Sequence, residues 1–290
     1  MTQTYCIYTD KEIPIEKTNR EHIIPLSLGG SNEFVLNVDK VANSELGAKI
    51  DGKLANDFLI QLLRKTYDTR GHSNQKVTAK WKNSRLIPLD IPIQVSFIDD
   101  ELKVYDVIAG QFLDKEQYRQ MQFESKFQFD RFIRIKFTAK TLLAAGYYVY
   151  GDLFRSKADH SALRDYMNNV INKEKKDLIN PRLRLYDRLS PIEERDEPST
   201  EMLKLICSYV KSSCVIFVPL GSENIGGAVG ILGELIGTIN FKANTNDFPN
   251  DGDFTLGHIV YFKDKRMIRK SFYDMLKEIA DYSSIEKLKT

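Results

Sequence analysis

A carboxylate and an imidazole stand side by side at Glu21-His22, and two amides follow at Asn37 and Asn43. Between them lie the apolar pair Ile23-Ile24, Pro25 and the pair Gly29-Gly30. An imidazole is the natural proton acceptor near neutral pH. A hard divalent ion such as Mg²⁺ needs only one or two protein oxygens, because it keeps several of its waters. Glu21 and Asn43 can supply those oxygens, with Mn²⁺ as the alternative ion. A base and a cation together are what hydrolysis of a phosphodiester requires. The base deprotonates an attacking water, and the cation opposes charge growing on the phosphate and the leaving oxygen. Along a strand Glu21 and His22 point to opposite faces, so one shared site needs the strand to bulge or end there.

The elements that must position these residues can be read locally. Residues 5–9 and 21–25 read as short extended pieces around a polar turn. Residues 28–32 form a turn by composition, and residues 34–38 a second strand. From Ala42 the apolar period becomes helical, with Leu46, Ile50, Leu54, Phe58, Leu62 and Leu63 recurring through about Lys65. The order is therefore strand, turn, strand, long helix, with Asn43 at the helix start.

Behind this unit, residues 66–85 read as a connector rich in small and polar residues. Seven basic residues (Arg64, Lys65, Arg70, Lys76, Lys80, Lys82, Arg85) stand against Asp68 alone in the stretch 64–85. Such a run is either a solvated linker or a face for a polyanion. Residues 91–97 alternate as a half-buried strand, Asp99-Asp100 turns the chain, and residues 102–107 pair back. Residues 127–145 and 161–172 read as helices. Arg131, Arg134, Lys136 and Lys140 are interleaved along the first of them and offer a second cationic face. The segment Glu193 to Pro198 is a charged loop. Residues 214–220, 228–241 and 256–263 look like sheet, and residues 267–279 like a closing helix. The class is α+β, a small front unit followed by a larger α+β domain.

Composition bounds the rest. The chain has 290 residues, 42% hydrophobic and 28% charged, with a net charge of +2. No apolar run reaches the length of a membrane span, and the first residues lack the pattern of a secretory signal. Three scattered cysteines, Cys6, Cys207 and Cys214, make no disulfide framework. A reducing cytoplasm is the default expectation. Cys207 and Cys214 read as buried thiols. His72, His160 and His258 fall in no ligand spacing and are assigned surface or structural roles. The glycines between Gly221 and Gly233 lack the Lys-Ser or Lys-Thr of a phosphate loop and read as a glycine-punctuated strand pair. The run Lys173 to Lys176 reads as a solvated helix end.

Residues 5–65 resemble the HNH endonuclease family and its ββα-metal fold. The resemblance rests on Cys6-Ile7-Tyr8, Glu21-His22-Ile23-Ile24-Pro25, Gly29-Gly30 and Asn43. It implies that His22 is the general base, that Glu21 and Asn43 hold the metal, and that a middle Asn orients the His ring. Asn37 is the choice for that middle Asn, with Asn32 the alternative. Many family members brace the fold with a zinc ion on two Cys-x-x-Cys pairs. Here Thr9, Asp39 and Ala42 replace three of those thiols, so no structural zinc is expected.

The reading that follows is a metal-dependent endonuclease hydrolysing DNA. Residues 1–70 form the nuclease domain and 71–85 a basic connector. Residues 86–290 form an α+β domain for target choice, homodimerisation or regulation. Arg64, Lys65, Lys76, Lys80, Lys82 and Arg85 are the expected DNA contacts. The resemblance implies a role in restriction or phage defence. Two rivals stand beside it: a catalytically inactive nucleic-acid-binding or regulatory protein on the same fold, and a nuclease that cuts RNA.

Overall fold

The computed structural model describes residues 2–98, 101–126, 130–168, 183–184 and 198–287. The front unit begins with an antiparallel hairpin of β1 (Gln3–Cys6) and β2 (Lys11–Pro14). A second hairpin follows, β3 (Thr18–His22) and β4 (Val35–Asp39), in which His22 pairs with Val35, Glu21 with Leu36 and Arg20 with Asn37.

The expected long helix is a broken one. It runs as α1 (Lys40–Leu46), a π-helical turn (Gly47–Asp51), α2 (Gly52–Ala55) and α3 (Phe58–Thr66). Two aspartates decide where it starts and restarts. Asp39 accepts from the backbone N–H of Val41 and Ala42, so α1 begins before Asn43. Asp57 caps α3 through Leu59 and Ile60. Short polar side chains at such positions satisfy N–H groups that a helix start leaves unpaired.

The stretch read as a connector is partly sheet. Strand β5 (Ala79–Ile87) carries Lys80, Lys82 and Arg85 and joins β6 (Ile91–Ile98), β7 (Glu101–Asp106), β8 (Gln111–Phe112) and β9 (Gln122–Ser125). The antiparallel order is β8-β7-β6-β5-β9, with the one-turn helix α4 (Lys115–Tyr118) before β9. This sheet has its own core of Leu86, Ile93, Val95, Val104 and Tyr118. The Asp99-Asp100 turn lies outside the described residues.

Helix α5 (Arg131–Tyr150) is the centre of the molecule, followed by α6 (Asp152–Lys157) and α7 (His160–Asn168). Residues 127–129 and 169–172, expected to be helical, lie outside the described residues, as do Lys173 to Lys176 and the loop 193–197. The last part is a six-stranded antiparallel sheet. Its strands are β10 (Leu183–Arg184), β11 (Cys214–Pro219), β12 (Asn224–Ile231), β13 (Glu234–Lys242), β14 (His258–Lys263) and β15 (Arg266–Ser271), in the order β10-β13-β12-β11-β14-β15. The expected helix 267–279 starts later. Residues 266–271 pair with β14, and only α9 (Phe272–Lys287) is helical. Helix α8 (Pro198–Val210) was not foreseen, because its start adjoins the charged, Pro-bounded loop.

Period-2 alternation sorts each central strand between two cores. Val215 and Phe217 join α5 and the front unit, while Cys214 and Ile216 join α8 and α9. The layers are thus α8/α9, the sheet, α5 and the front unit. One continuous core runs from Tyr5 through Leu142 to Phe262. Among the described residues no helix is long and apolar enough to cross a membrane.

Candidate active site

The site is built on the tip of the β3–β4 hairpin. β3 ends at His22, and the chain then makes a single helical turn (Leu26–Leu28) into Gly29 and Gly30. Both glycines are required. Gly29 has φ +80°, the left-handed region that costs other residues more. A Cβ on Gly30 would lie 1.7 Å from the Ile24 carbonyl oxygen. The tip is fastened to the C-terminal sheet. Ser213 Oγ donates to Leu28 O at 2.5 Å, Ser31 Oγ to Lys265 O at 2.6 Å, and the Met267 N–H to Glu33 Oε2 at 2.7 Å.

His22 is half-buried at this tip, with its Nε2 2.9 Å from Asn32 Oδ1. An amide oxygen only accepts, so Nε2 carries the proton and the Nδ1 lone pair is left for chemistry. Arg20 donates from its guanidinium to Asn32 O at 3.3 Å, which steadies the same residue. Asn37 is exposed and lies opposite Arg20, further along the His22 face. The residue bonded to the imidazole is therefore Asn32. His72 also comes to this face, its ring centroid 5.3 Å from that of His22. Its place 50 positions along the chain left no local signal.

Glu21 faces the other way, as strand geometry requires. Its carboxylate is almost wholly buried, and Lys140 of α5 donates to Glu21 Oε1 at 2.5 Å and to Asp51 Oδ2 at 2.6 Å. Lys140 itself is fully buried, with its ammonium 5.7 Å from the Tyr8 ring centroid. Burial alone would pull its pKa down, but Asp51, Tyr8 and Glu21 push it above the ordinary lysine value. Burial lifts the Asp51 carboxyl to about 6 against the pull of Lys140, and the charge on Glu21 adds to the rise. Asn43 reaches this same side, its amide nitrogen donating to Asn19 Oδ1 at 3.0 Å. Two carboxylates thus share one ammonium. Asp51 and Lys140 were missed as members of this group, although Lys140, flanked by apolar and small residues, is a legible candidate for a buried ion pair.

The donors on this side are all hard oxygens, and Asp51 Oδ1 is buried without a hydrogen-bond partner. Two carboxylates against one ammonium leave a negative charge. The donor types suit a hard ion, but both carboxylates are held by the Lys140 ammonium and Glu21 lies on the strand face opposite His22, so the structure does not bring Glu21 and His22 into one site. Among the described residues no three His, Cys, Asp or Glu side chains gather into a fuller ligand shell. Cys6, the one thiol retained of the four, is buried and its sulfur accepts from the Asp39 N–H at 3.2 Å.

The basic residues disperse. Arg64 is half-buried and donates to Ser27 O at 2.8 Å and Ala55 O at 3.0 Å, tying α3 to the hairpin. Burial lowers its pKa. Lys65 lies over the Phe97 ring at 5.2 Å. Arg85 is forked onto Asp90 at 2.6 and 2.5 Å. Lys76, Lys80 and Lys82 are exposed. The second cationic face is overturned for two of its members. Arg134 is buried against Asp57 at 3.1 Å, and Lys140 is buried as above.

Residues 6–59 match the family model of the HNH endonucleases. No curated protein and no solved structure matches the chain. The matched span holds the Glu21-His22 pair, the double-glycine tip and Asn43, in the strand–turn–strand–helix order just described. Over residues 6–59 this chain is thus similar to the HNH endonucleases.

Proposed function

We propose that this chain is a nuclease that hydrolyses phosphodiesters of DNA, with His22 as the general base. The observation that carries the reading is the Asn32 Oδ1 to His22 Nε2 contact of 2.9 Å, at a fixed turn that opens to solvent. Asn32 holds the ring and its tautomer, and His22 Nδ1 takes the proton from the attacking water. Positioned bases of this kind contribute roughly 10²–10⁴ in rate. Glu21 and Asn43 would hold a divalent ion, Mg²⁺ or Mn²⁺, once Glu21 leaves Lys140 and turns toward the His22 face, since in the structure the two side chains point to opposite faces. When bound, that ion would offset charge on the phosphate and the leaving oxygen. Lys140 holds Glu21 from behind. A role in restriction or phage defence is the setting in which such an activity would serve.

The test is direct. Plasmid, single-stranded DNA and RNA are incubated with the purified protein, with and without Mg²⁺ or Mn²⁺, beside a His22→Ala control. Metal-dependent nicking or linearisation of the plasmid that the control lacks supports the reading. Binding without cleavage of any substrate would favour a catalytically inactive module, and cleavage of RNA alone would replace DNA as substrate.

A further inference from the structure

Beside the hairpin tip lies a cleft of about 660 Å³, within the size range of ligand sites. Three elements wall it: the Gly29 to Asn32 tip, the loop carrying Arg70 and Gly71, and the edge of the C-terminal sheet. Asn32 is both a wall of this cleft and the hydrogen-bond partner of His22. Arg70 is engaged by Asp68 through two bonds of 3.0 and 2.7 Å. The two remaining cations, Lys211 and Lys265, are exposed, and neither ammonium is tied to a described residue.

Their backbone is the telling feature. Lys211 follows the last residue of α8 with φ +50°, and its N–H donates back to Cys207 O at 3.1 Å. That is the helix-ending position where glycine is the usual residue. Lys265 has φ +64° in the turn between β14 and β15, where Asp264 is also left-handed at φ +52°. Such turns ordinarily carry Asn-Gly or Asp-Gly. Asp68, Asn74 and Leu232 of the same lining are left-handed too, and Lys211 and Lys265 are the two cations among these positions, on separate elements of one cleft. Non-glycine residues in this region are uncommon and gather where a side chain is needed. The walls do not depend on these side chains, because Ser31, Ser213 and Glu33 hold tip and sheet together.

We propose that this cleft holds the phosphates of the polynucleotide strand next to the bond attacked at His22, with Lys211 and Lys265 as its phosphate contacts. The proposal rests on the nuclease reading above and moves the substrate path from the Lys76 to Arg85 stretch to the C-terminal sheet. Each neutralised phosphate contributes a salt slope of about −0.9 on duplex DNA.

The test is binding of a fluorescein-labelled duplex of mixed sequence, followed by anisotropy at several salt concentrations without divalent ions. Lys211→Gly with Lys265→Gly should weaken binding and flatten log K against log salt by about 2. The same substitutions should keep or raise the melting temperature, since glycine relieves both left-handed positions. Lys211→Gln with Lys265→Gln should give the same loss of slope. Lys80→Gln with Lys82→Gln should leave the slope nearly unchanged. A melting temperature that rises while affinity and slope stay as in the parent would mean that the lysines are turn residues only, and would overturn the proposal while leaving the nuclease reading intact. If the unmodified protein binds no DNA at any salt concentration, the proposal is overturned, while the metal-dependent cleavage assay decides the nuclease reading separately.

Discussion

His22 and His258 are the same residue type in opposite surroundings, and each makes a prediction at its own scale. At His22 the tautomer matters. Asn32→Ala should lower cleavage by about 10-fold or more by freeing the ring, whereas Asn37→Ala, exposed on the same face, should have little effect. Rates for the two variants under single-turnover conditions decide which Asn serves the base; a larger loss in Asn37→Ala would return that role to it. At His258 the ring is buried, stacked on Phe254 at 4.7 Å, with Nδ1 3.1 Å from Asp253 O and Nε2 3.4 Å from Arg269 Nε. Burial lowers its pKa to about 4 against the ordinary 6.5, with Arg269 adding to the fall and Asp253 opposing it. The unfolded chain then binds the proton first. This group costs no stability above about pH 6.5, costs progressively more as the pH falls, and levels off below about pH 4. The loss should reach up to about 3 kcal/mol. Denaturant unfolding of the parent and of His258→Gln across that range measures it. Parallel curves for the two would mean that His258 titrates normally.

At the scale of elements, α5 is the part whose role was furthest from its sequence appearance. Its cations look like a surface stripe, yet the helix is buried between the sheet and the front unit, so Arg134 and Lys140 must find partners. Lys140 finds two, Glu21 on β3 and Asp51 in the π-helical turn. Lys140→Met should leave two buried carboxylates facing each other and destabilise the protein by about 3–5 kcal/mol. Adding Glu21→Gln should recover part of that loss, because it removes one of the uncompensated charges. Denaturant melts of the two variants at neutral pH check this, and equal stability of Lys140→Met and parent would show that the ammonium is dispensable. The same logic explains the basic stretch near β5. Charge density is visible in sequence, but where each cation goes depends on nearby carbonyls and carboxylates, as Arg64 and Arg85 demonstrate.

Across the whole molecule, the front unit and the C-terminal sheet share one interior. Phe34 meets Tyr148 at 4.9 Å and Phe262 at 5.6 Å, and Arg164 of α7 donates to Ile7 O at 3.1 Å and Asp10 at 2.7 Å. A fragment of residues 1–70 would expose that face and strand Glu21 and Asp51 without Lys140. It should lack a cooperative melt and dispersed amide resonances, as expected of a small chain without its partner surface. A well-dispersed spectrum from that fragment would show instead that the nuclease unit folds alone.

What the sequence by itself determined was local. The hairpin, its double-glycine tip, the Glu21-His22 pair and the HNH resemblance all sit within a few dozen residues, where period, turn chemistry and motif spacing act. Strands β11 to β14 were legible for the same reason, since β-branched alternation is a short-range signal, whereas β15 read as the start of the closing helix. The tertiary structure alone decided that Asn32, not Asn37, bonds His22, because a tight turn brings residue 32 back over the ring. It alone joined His72 to His22, Lys140 to Glu21, and Lys211 and Lys265 to one cleft. Those pairings are set by which surfaces bury against each other, and burial couples residues more than a hundred positions apart that no local pattern connects.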